Sequence, residues 1–211
     1  MSINLRVVVP PHPLIAHWLT VLRDEMTPGP LFAIALEQLG HWLTYEAIRD
    51  WLPHQSVEVK TPFGETIGSS VSTSASLLVI QIVRGGQELW FGASKVLPTS
   101  RLVHIIGPRE VMSSQLPLEI PSHEGVLIFL PQITDGQALG AILTELTTKG
   151  VTGSRRRVIT TIASSIGLKF LGETFPDLTI YSACIDPYLN DRGEITPGFG
   201  NLEERLYGCI V

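Results

Sequence analysis

The stretch FLPQITDGQALGAIL, from Phe129 to Leu143, has the residues expected of a phosphate-binding junction. It predicts the end of a buried strand, a short loop with Gly136, and the start of an apolar helix. Such junctions hold phosphates in α/β proteins because the loop amides and the helix N-terminus offer unpaired N–H donors. Asp135 lies in the middle of the loop, however, and its carboxylate would repel a phosphate. The stretch is therefore either a phosphate site or the remains of one.

A second set of residues with anion-binding chemistry is Arg84, Gly85 and Gly86. They come directly after the apolar run Ser76–Val83, which predicts a strand covered on both faces. A guanidinium fork suits phosphate oxygens, and glycines allow the backbone to approach a ligand closely. The alternative is that the arginine pairs with a local carboxylate, such as that of Glu88.

A short basic run, Arg155, Arg156 and Arg157, is the other concentration of positive charge. We interpret it as a solvated loop or helix start rather than an anion site. The net charge of −5 and the pI near 5.7 argue against nucleic-acid binding. Cys184 and Cys209 do not have metal or thiol-disulfide spacing, so we expect no metal site and two buried free cysteines in a reducing cytosol.

Strands and helices alternate along most of the chain. Continuous apolar or β-branched runs predict strands at Leu5–Val9, Ser76–Val83, RLVHIIG, GVLIFL, RRRVITTIA and DLTIYSACID. Helical apolar spacing predicts helices at His12–Arg23, Leu31–Trp51, Gln87–Val96, Gly136–Thr148 and Ser165–Thr174. Alternation around a Pro/Gly turn predicts a β-hairpin at Ser56–Val71. The chain is therefore expected to have an α/β fold, with a mostly parallel twisted sheet flanked by helices and ligands beyond the carboxyl ends of the strands.

The composition favours an association of copies or a bound partner. Of the 211 residues, 44% are hydrophobic and 17% are charged, against roughly 25% charged in an average soluble domain. A chain with so little polar surface is expected to form a homo-oligomer, a dimer or larger, or to bind a protein partner. We find no signal peptide and no apolar stretch of about 20 residues, and therefore expect a cytoplasmic protein without a membrane span.

Several stretches together resemble one family. HPLIAHWLTVLRDEMT, YEAIRD, TPFG, QIVRGG and YSACIDPYLNDRGEITPGFGN resemble uracil phosphoribosyltransferases, in order from about His12 to Gly208. The resemblance implies a single domain with a type I phosphoribosyltransferase core. N-terminal helices are expected over residues 12–52, a β-hairpin arm over 56–71, and the core with a base-binding loop over 76–211. The family reaction belongs to pyrimidine salvage and joins uracil to phosphoribosyl pyrophosphate, which carries Mg²⁺, giving UMP and pyrophosphate.

The resemblance also implies the positions that contact phosphoribosyl pyrophosphate. They are Arg84, Gly85, Arg109, Leu130, Thr134, Asp135, Gly136, Gln137 and Asn201. Arg109 matches a family arginine, but of the acidic residues that follow it in the family only Glu110 is present, so a solvated arginine is an equal alternative.

The phosphate loop departs from the family pattern at most of its positions. Leu130 stands where the family has the aspartate that faces the ribose hydroxyls, Gln137 replaces a serine, and the loop is one residue shorter. Losing one charge-assisted hydrogen bond costs roughly 1.5–3 kcal/mol. Two like charges about 4 Å apart cost roughly 4 kcal/mol at a dielectric constant of 20. A combined loss of ~5 kcal/mol corresponds to about 10³–10⁴ in affinity. We therefore predict that the Pro131–Gln137 loop does not accept a 5′-phosphate.

The uracil site implied by the resemblance lies in the C-terminal loop, at Ile195, Gly200, Asn201 and Leu202. A backbone loop can match the acceptor–donor–acceptor edge of uracil with its own N–H and C=O groups. Leu202 and Glu203 replace small family residues and would crowd the pocket, and Asn201 replaces an aspartate. A purely structural Pro/Gly loop is the alternative.

Two functions follow from these observations. The first is a family member with impaired or absent transferase activity that binds uracil, UMP or another nucleotide-like ligand, or a protein partner. The second is a working uracil phosphoribosyltransferase with an unusual loop. No catalytic residue is assigned in either case. Trp18, Trp42 and Trp51 could anchor a partner, although packing in the core or in a homodimer contact is the preferred interpretation.

Overall fold

The computed structural model describes residues 5–72, 75–97, 99–106 and 115–208. Within these ranges the strands of the central sheet are β1 Arg6–Val8, β4 Leu77–Ile82, β5 Ser100–Ile105, β6 Gly125–Phe129, β7 Gln132–Ile133, β8 Arg156–Ser164 and β9 Thr179–Asp186. They pair in the order β1-β9-β8-β6-β4-β5, with β7 also on β8, and every pair is parallel. The predicted parallel sheet is confirmed.

Helices connect the strands on both sides of the sheet. They are α1 Pro13–Arg23, α2 Gly29–Ile48, α3 Gly86–Ala93, α4 Gln137–Thr148, α5 Ser165–Thr174 and α6 Leu202–Tyr207. The N-terminus of α1 is capped by His12, whose ring accepts the N–H of Leu14. That of α5 is capped by the Ser164 hydroxyl, which accepts the N–H of Gly167. In the described ranges no helix has both the length and the apolar composition needed to cross a bilayer.

The sheet separates two hydrophobic clusters. One lies under α4 and α5 and takes alternate residues of β4, such as Leu78 and Ile80. The other lies under α1, α2 and α3 and takes Leu77 and Val79. All six residues of β4 are buried, as the continuous apolar run predicts for a strand covered on both faces.

The hairpin lies outside this core as a separate two-stranded sheet. Its strands are β2 His54–Thr61 and β3 Gly64–Val71, joined by Pro62 and Phe63. Nearly all of its side chains are exposed, including that of Phe63. The predicted hairpin is confirmed, and its first strand begins two residues before the predicted start.

The solvated-loop interpretation of the basic run is wrong for Arg156 and Arg157. These are the first two residues of β8, and both are buried. Arg156 donates to the Leu143 carbonyl at 3.1 Å and to the Asp177 carboxylate at 3.0 Å. Arg157 pairs with Asp50 at 2.7 Å. Burial of these charges is tolerated because carboxylates and carbonyls distant in sequence satisfy them.

The three tryptophans are half-buried and pack against the cluster under the N-terminal helices. Trp42 stacks with His12 at 5.0 Å between ring centroids, and Arg157 lies 4.9 Å from the centroid of Trp51. Their packing against the core agrees with the preferred interpretation that they belong to the interior.

Candidate functional site

The carboxyl ends of β4 and β6 open into a cleft of about 360 Å³ that the C-terminal loop and α6 border on the other side. The residues that line it are Ile82, Val83, Arg84, Leu130, Pro131, Gln132, Thr134, Ala138, Glu194, Gly200, Asn201, Leu202 and Glu203. The structure thus brings together six of the predicted positions, Arg84, Leu130, Thr134, Gly200, Asn201 and Leu202. This is where ligands bind in open parallel sheets.

Arg84 follows β4 through a cis peptide bond with Val83. Its guanidinium donates to the carboxylate of Glu203, across the cleft, rather than to Glu88 as the local-pairing alternative expected. Glu88 instead accepts the hydroxyl of Tyr207 at 3.2 Å. The arginine that would contact a diphosphate therefore already has an anionic partner within the chain.

Gly85 caps α3 in a left-handed conformation with φ of +85°. A Cβ atom at this position would lie 2.7 Å from both the Leu202 side chain and the ring of Pro131. Leu202 thus packs directly on the backbone that follows Arg84, and it fills space that a small residue would leave open. That Leu202 crowds a uracil pocket stays a prediction.

The phosphate-type loop turns at Gly136, where φ is +78°, into the first residue of α4, Gln137. The Asp135 carboxylate accepts the N–H of Gln137 at 2.9 Å. On the other side of the loop, the Thr134 carbonyl accepts the hydroxyl of Ser164. A helix-start amide that could bind a phosphate is therefore already hydrogen-bonded to a carboxylate of the loop itself.

Leu130, at the end of β6, is only 6% exposed and belongs to the cluster under α4 and α5. Its side chain touches the cleft but has no atom that could hydrogen-bond ribose hydroxyls. Carboxylate chemistry is thus absent from this position.

The C-terminal loop is tied to the body of the protein by a charged clamp. Asp186 accepts the N–H of Gly198 at 2.9 Å and a donor of Arg23 at 2.6 Å. Phe199 packs edge-on against Phe32, with centroids 5.6 Å apart. These contacts fix the course of the loop without any ligand.

The predicted uracil positions divide between the core and the cleft. Ile195 lies in β11, Ile195–Thr196, which pairs with β10, Tyr188–Leu189, and it is buried in the core rather than exposed to the cleft. Gly200 is exposed at the cleft. The side-chain oxygen of Asn201 caps α6 by accepting the N–H groups of Glu203 at 2.9 Å and Glu204 at 3.1 Å.

The other candidate functional groups are a cysteine, a further predicted arginine and possible metal ligands. Burial raises the pKa of Cys184 to about 11, which keeps this thiol protonated near neutral pH. Arg109 lies outside the described residues. Among the residues that are described, no three His, Cys, Asp or Glu side chains are grouped so that they could hold a metal ion.

Two roles were missed by sequence reasoning. Glu203 was considered only for its bulk, and nothing in the sequence indicates that it pairs with an arginine 119 positions away. Asp135 was expected only to repel phosphate. Its hydrogen bond to the Gln137 amide had a local signal, because aspartate commonly accepts the backbone N–H two residues further along the chain.

Comparison with known proteins identifies the family. The sequence profile of the family described as uracil phosphoribosyltransferase matches residues 9–209. The uracil phosphoribosyltransferase of Synechococcus elongatus is 41% identical over 99% of both chains. That of a Nostoc species is 37% identical over 99% of this chain and 100% of the relative.

Similar evidence comes from a plant relative and from a solved structure. The chloroplastic uracil phosphoribosyltransferase of Arabidopsis thaliana is 36% identical over 98% of this chain and 72% of its own length. The structure of the AQ2163 protein from Aquifex aeolicus superposes with a TM-score of 0.80 and 28% identity, over 97% of this chain and 99% of that one. With its parallel sheet flanked by helices, its hairpin arm and this full-length similarity, the chain belongs to the uracil phosphoribosyltransferase family.

Proposed function

We propose that this chain is a family member in which the phosphoribosyl pyrophosphate site is filled by the chain's own side chains. Its transferase activity is lost or strongly reduced, and it acts by binding a neutral ligand or a protein partner. The observation that carries the proposal is the internal pairing of the two anion-binding groups, Arg84 with Glu203 and the Gln137 amide with Asp135.

A 5′-phosphate at the loop would have to displace the Asp135 carboxylate from the Gln137 amide and would then lie beside it. The phosphate gains a hydrogen bond that the chain loses, so the exchange itself contributes little. The remaining repulsion between like charges about 4 Å apart is roughly 4 kcal/mol at a dielectric constant of 20. This supports a loss of phosphate affinity of the size expected from the sequence.

The ribose region supports the same proposal. Leu130 offers an apolar surface where the resemblance places a carboxylate, and Leu202 packs against Gly85 and Pro131. Mg²⁺ would arrive bound to the diphosphate of the substrate, and the cleft's carboxylates, Glu194 and Glu203, lie at its C-terminal wall rather than at the end of β6. The donor set therefore suits a neutral ligand better than a metal-bound diphosphate.

The second candidate is an active uracil phosphoribosyltransferase that makes UMP and pyrophosphate. Full-length identity of 41% to a relative with that name favours it. The pair between Arg84 and Glu203 is also partly exposed, and exposed pairs contribute only ~0–1 kcal/mol, so a strongly charged substrate could displace it.

Formation of UMP from labelled uracil, phosphoribosyl pyrophosphate and Mg²⁺ separates the two candidates. We expect kcat/KM to be at least ~10³-fold below that of the Synechococcus elongatus relative assayed in parallel. A value within about tenfold of the relative would establish the second candidate and refute the first.

We also propose that the chain is a cytoplasmic homo-oligomer. The low fraction of charged residues and the exposed apolar side chains of the hairpin support association of copies.

A further inference from the structure

The helix that carries Glu203 is fixed to the body of the protein. Arg205 donates to the carbonyls of Phe199 at 2.9 Å and Asp24 at 2.6 Å, and its guanidinium lies 4.6 Å from the ring centroid of Phe32. Leu206 packs against the cluster under the N-terminal helices. The backbone of α6 is therefore held in place by contacts that do not involve the cleft.

The Glu203 side chain, in contrast, can move without the helix. The side chain of Glu203 is 35% exposed, and that of its partner Arg84 is 52% exposed. An ion pair with this exposure contributes about 0–1 kcal/mol, because water and salt compete for both groups. A rotation of the side chain would release the arginine at small cost.

The described lining of the cleft carries a net negative formal charge. Among its described lining residues only Arg84, Glu194 and Glu203 are formally charged, one positive and two negative, which gives −1. A neutral ligand meets no net repulsion from the paired groups. A diphosphate meets an arginine that is already paired and a carboxylate held next to it.

We propose that Glu203 determines the charge of the ligand that the cleft accepts, by competing internally with diphosphate-type anions for Arg84. This inference rests on the proposed function and accounts for part of the lost affinity for the anionic substrate in a cleft that retains its arginine. Removal of the Glu203 charge converts the cleft into one that binds a diphosphate at Arg84.

Calorimetric titration with inorganic pyrophosphate, with and without Mg²⁺, tests the inference. The variants are Glu203→Gln and the control Glu204→Gln, which removes the same charge from the next residue of α6, an exposed position. We expect Glu203→Gln to lower the Kd for pyrophosphate by ~5–30-fold, which corresponds to ~1–2 kcal/mol, because the variant removes the carboxylate that competes for Arg84 and repels the anion at a partly exposed site. Glu204→Gln changes the Kd by less than about threefold.

The gain in affinity must also depend on Arg84. In the double variant Glu203→Gln, Arg84→Gln it is lost, while the melting temperature of Glu203→Gln stays within about 2 °C of the unchanged chain. Equal Kd changes in the two glutamate variants, a gain that survives Arg84→Gln, or no binding of ~5 mM pyrophosphate by Glu203→Gln would each overturn the inference. Rapid UMP formation by the unchanged chain would refute the proposed function but leave this comparison of Kd values intact.

Discussion

Arg156 is a charged side chain with 2% exposure at the start of β8. Its guanidinium reaches the carbonyls of Leu143 and Val151, the hydroxyl of Thr147 and the carboxylate of Asp177. A buried ion whose partner is removed remains in the interior without compensation, which is more costly than losing an exposed pair.

Asp177→Ala is therefore expected to destabilise the fold by ~3–4 kcal/mol. For a chain of this size this lowers the melting temperature by roughly 6–16 °C. Thermal unfolding measures the change, and the exposed Asp191→Ala is the matched control, expected to stay within ~0.5 kcal/mol. If the two variants melt together, the Asp177 carboxylate does not compensate the buried guanidinium.

The same pair gives an expected pH dependence. Burial raises the pKa of the Asp177 carboxyl, but hydrogen bonds from the Gly153 amide and from Arg156 outweigh it and lower the pKa below its ordinary value. A carboxyl with a lowered pKa in the folded state stabilises the fold above its unfolded pKa of about 3.9, and this contribution is lost as pH falls through the folded pKa. Asp177→Asn should flatten the dependence of unfolding free energy on pH below about 4.

At single residues, the sequence predicted which positions depart from the family pattern. It did not predict which side chains of the protein itself hydrogen-bond to the anion-binding groups. Leu130 and Asp135 were identifiable because they stand in a motif. Arg84 and Glu203 meet only through the fold, 119 positions apart. The burial of Arg156 and Arg157 was also missed, because a run of arginines is usually solvated and their partners lie far away in sequence.

Among the elements, the C-terminal loop combines two glycines with different roles. Gly198 has φ of +55°, and a Cβ there would lie 2.2 Å from the carbonyl oxygen of Ile195. Gly200 has φ of +82°, but a Cβ would meet no atom within 4 Å. The first glycine is required by packing, whereas the second is required only by its backbone conformation.

Gly198→Ala should therefore destabilise the chain by at least ~2 kcal/mol more than Gly200→Ala, since both share a left-handed strain of about 1–2 kcal/mol. Denaturant unfolding measures the difference.

Calorimetry with uracil and UMP on the same two variants tests whether the C-terminal loop binds a base or is only structural. If Gly200→Ala abolishes uracil binding while its stability loss stays near the strain value, the loop binds a base; if nothing binds, the loop is structural.

Elements with strong local signals were predicted well. The continuous apolar run at β4 specifies a buried strand, and the alternating pattern around Pro62 and Phe63 specifies a hairpin. Both patterns depend only on residues adjacent in sequence. Helix bounds were less accurate. The second helix was expected to run from Leu31 to Trp51, but α2 spans Gly29–Ile48. It begins earlier because a proline is accepted in a first helical turn.

In the whole molecule, the hairpin arm lacks a partner within the described residues other than itself. Phe63 is fully exposed and Ile67 is 76% exposed. A two-stranded hairpin is marginally stable in water on its own, so we expect another copy of the chain to cover it.

Light scattering coupled to size exclusion should therefore report a dimer or larger species. Phe63→Asp should raise the dissociation constant of that species by at least about tenfold and so favour the monomer. Ser69→Asp adds the same charge to an exposed polar position of the arm and should change it little. A monomeric unchanged chain, or equal effects of both variants, would show that the arm does not mediate association.

The pairing of β1 with β9 has a consequence for synthesis on the ribosome. Arg6 pairs with Thr179, so β1 meets its neighbour only after about 170 further residues have been synthesised. At roughly 5–20 residues per second, that wait lasts on the order of 10–30 s. During this time the three residues of β1 have no neighbouring strand to pair with, so we expect this edge of the sheet to be the last to form.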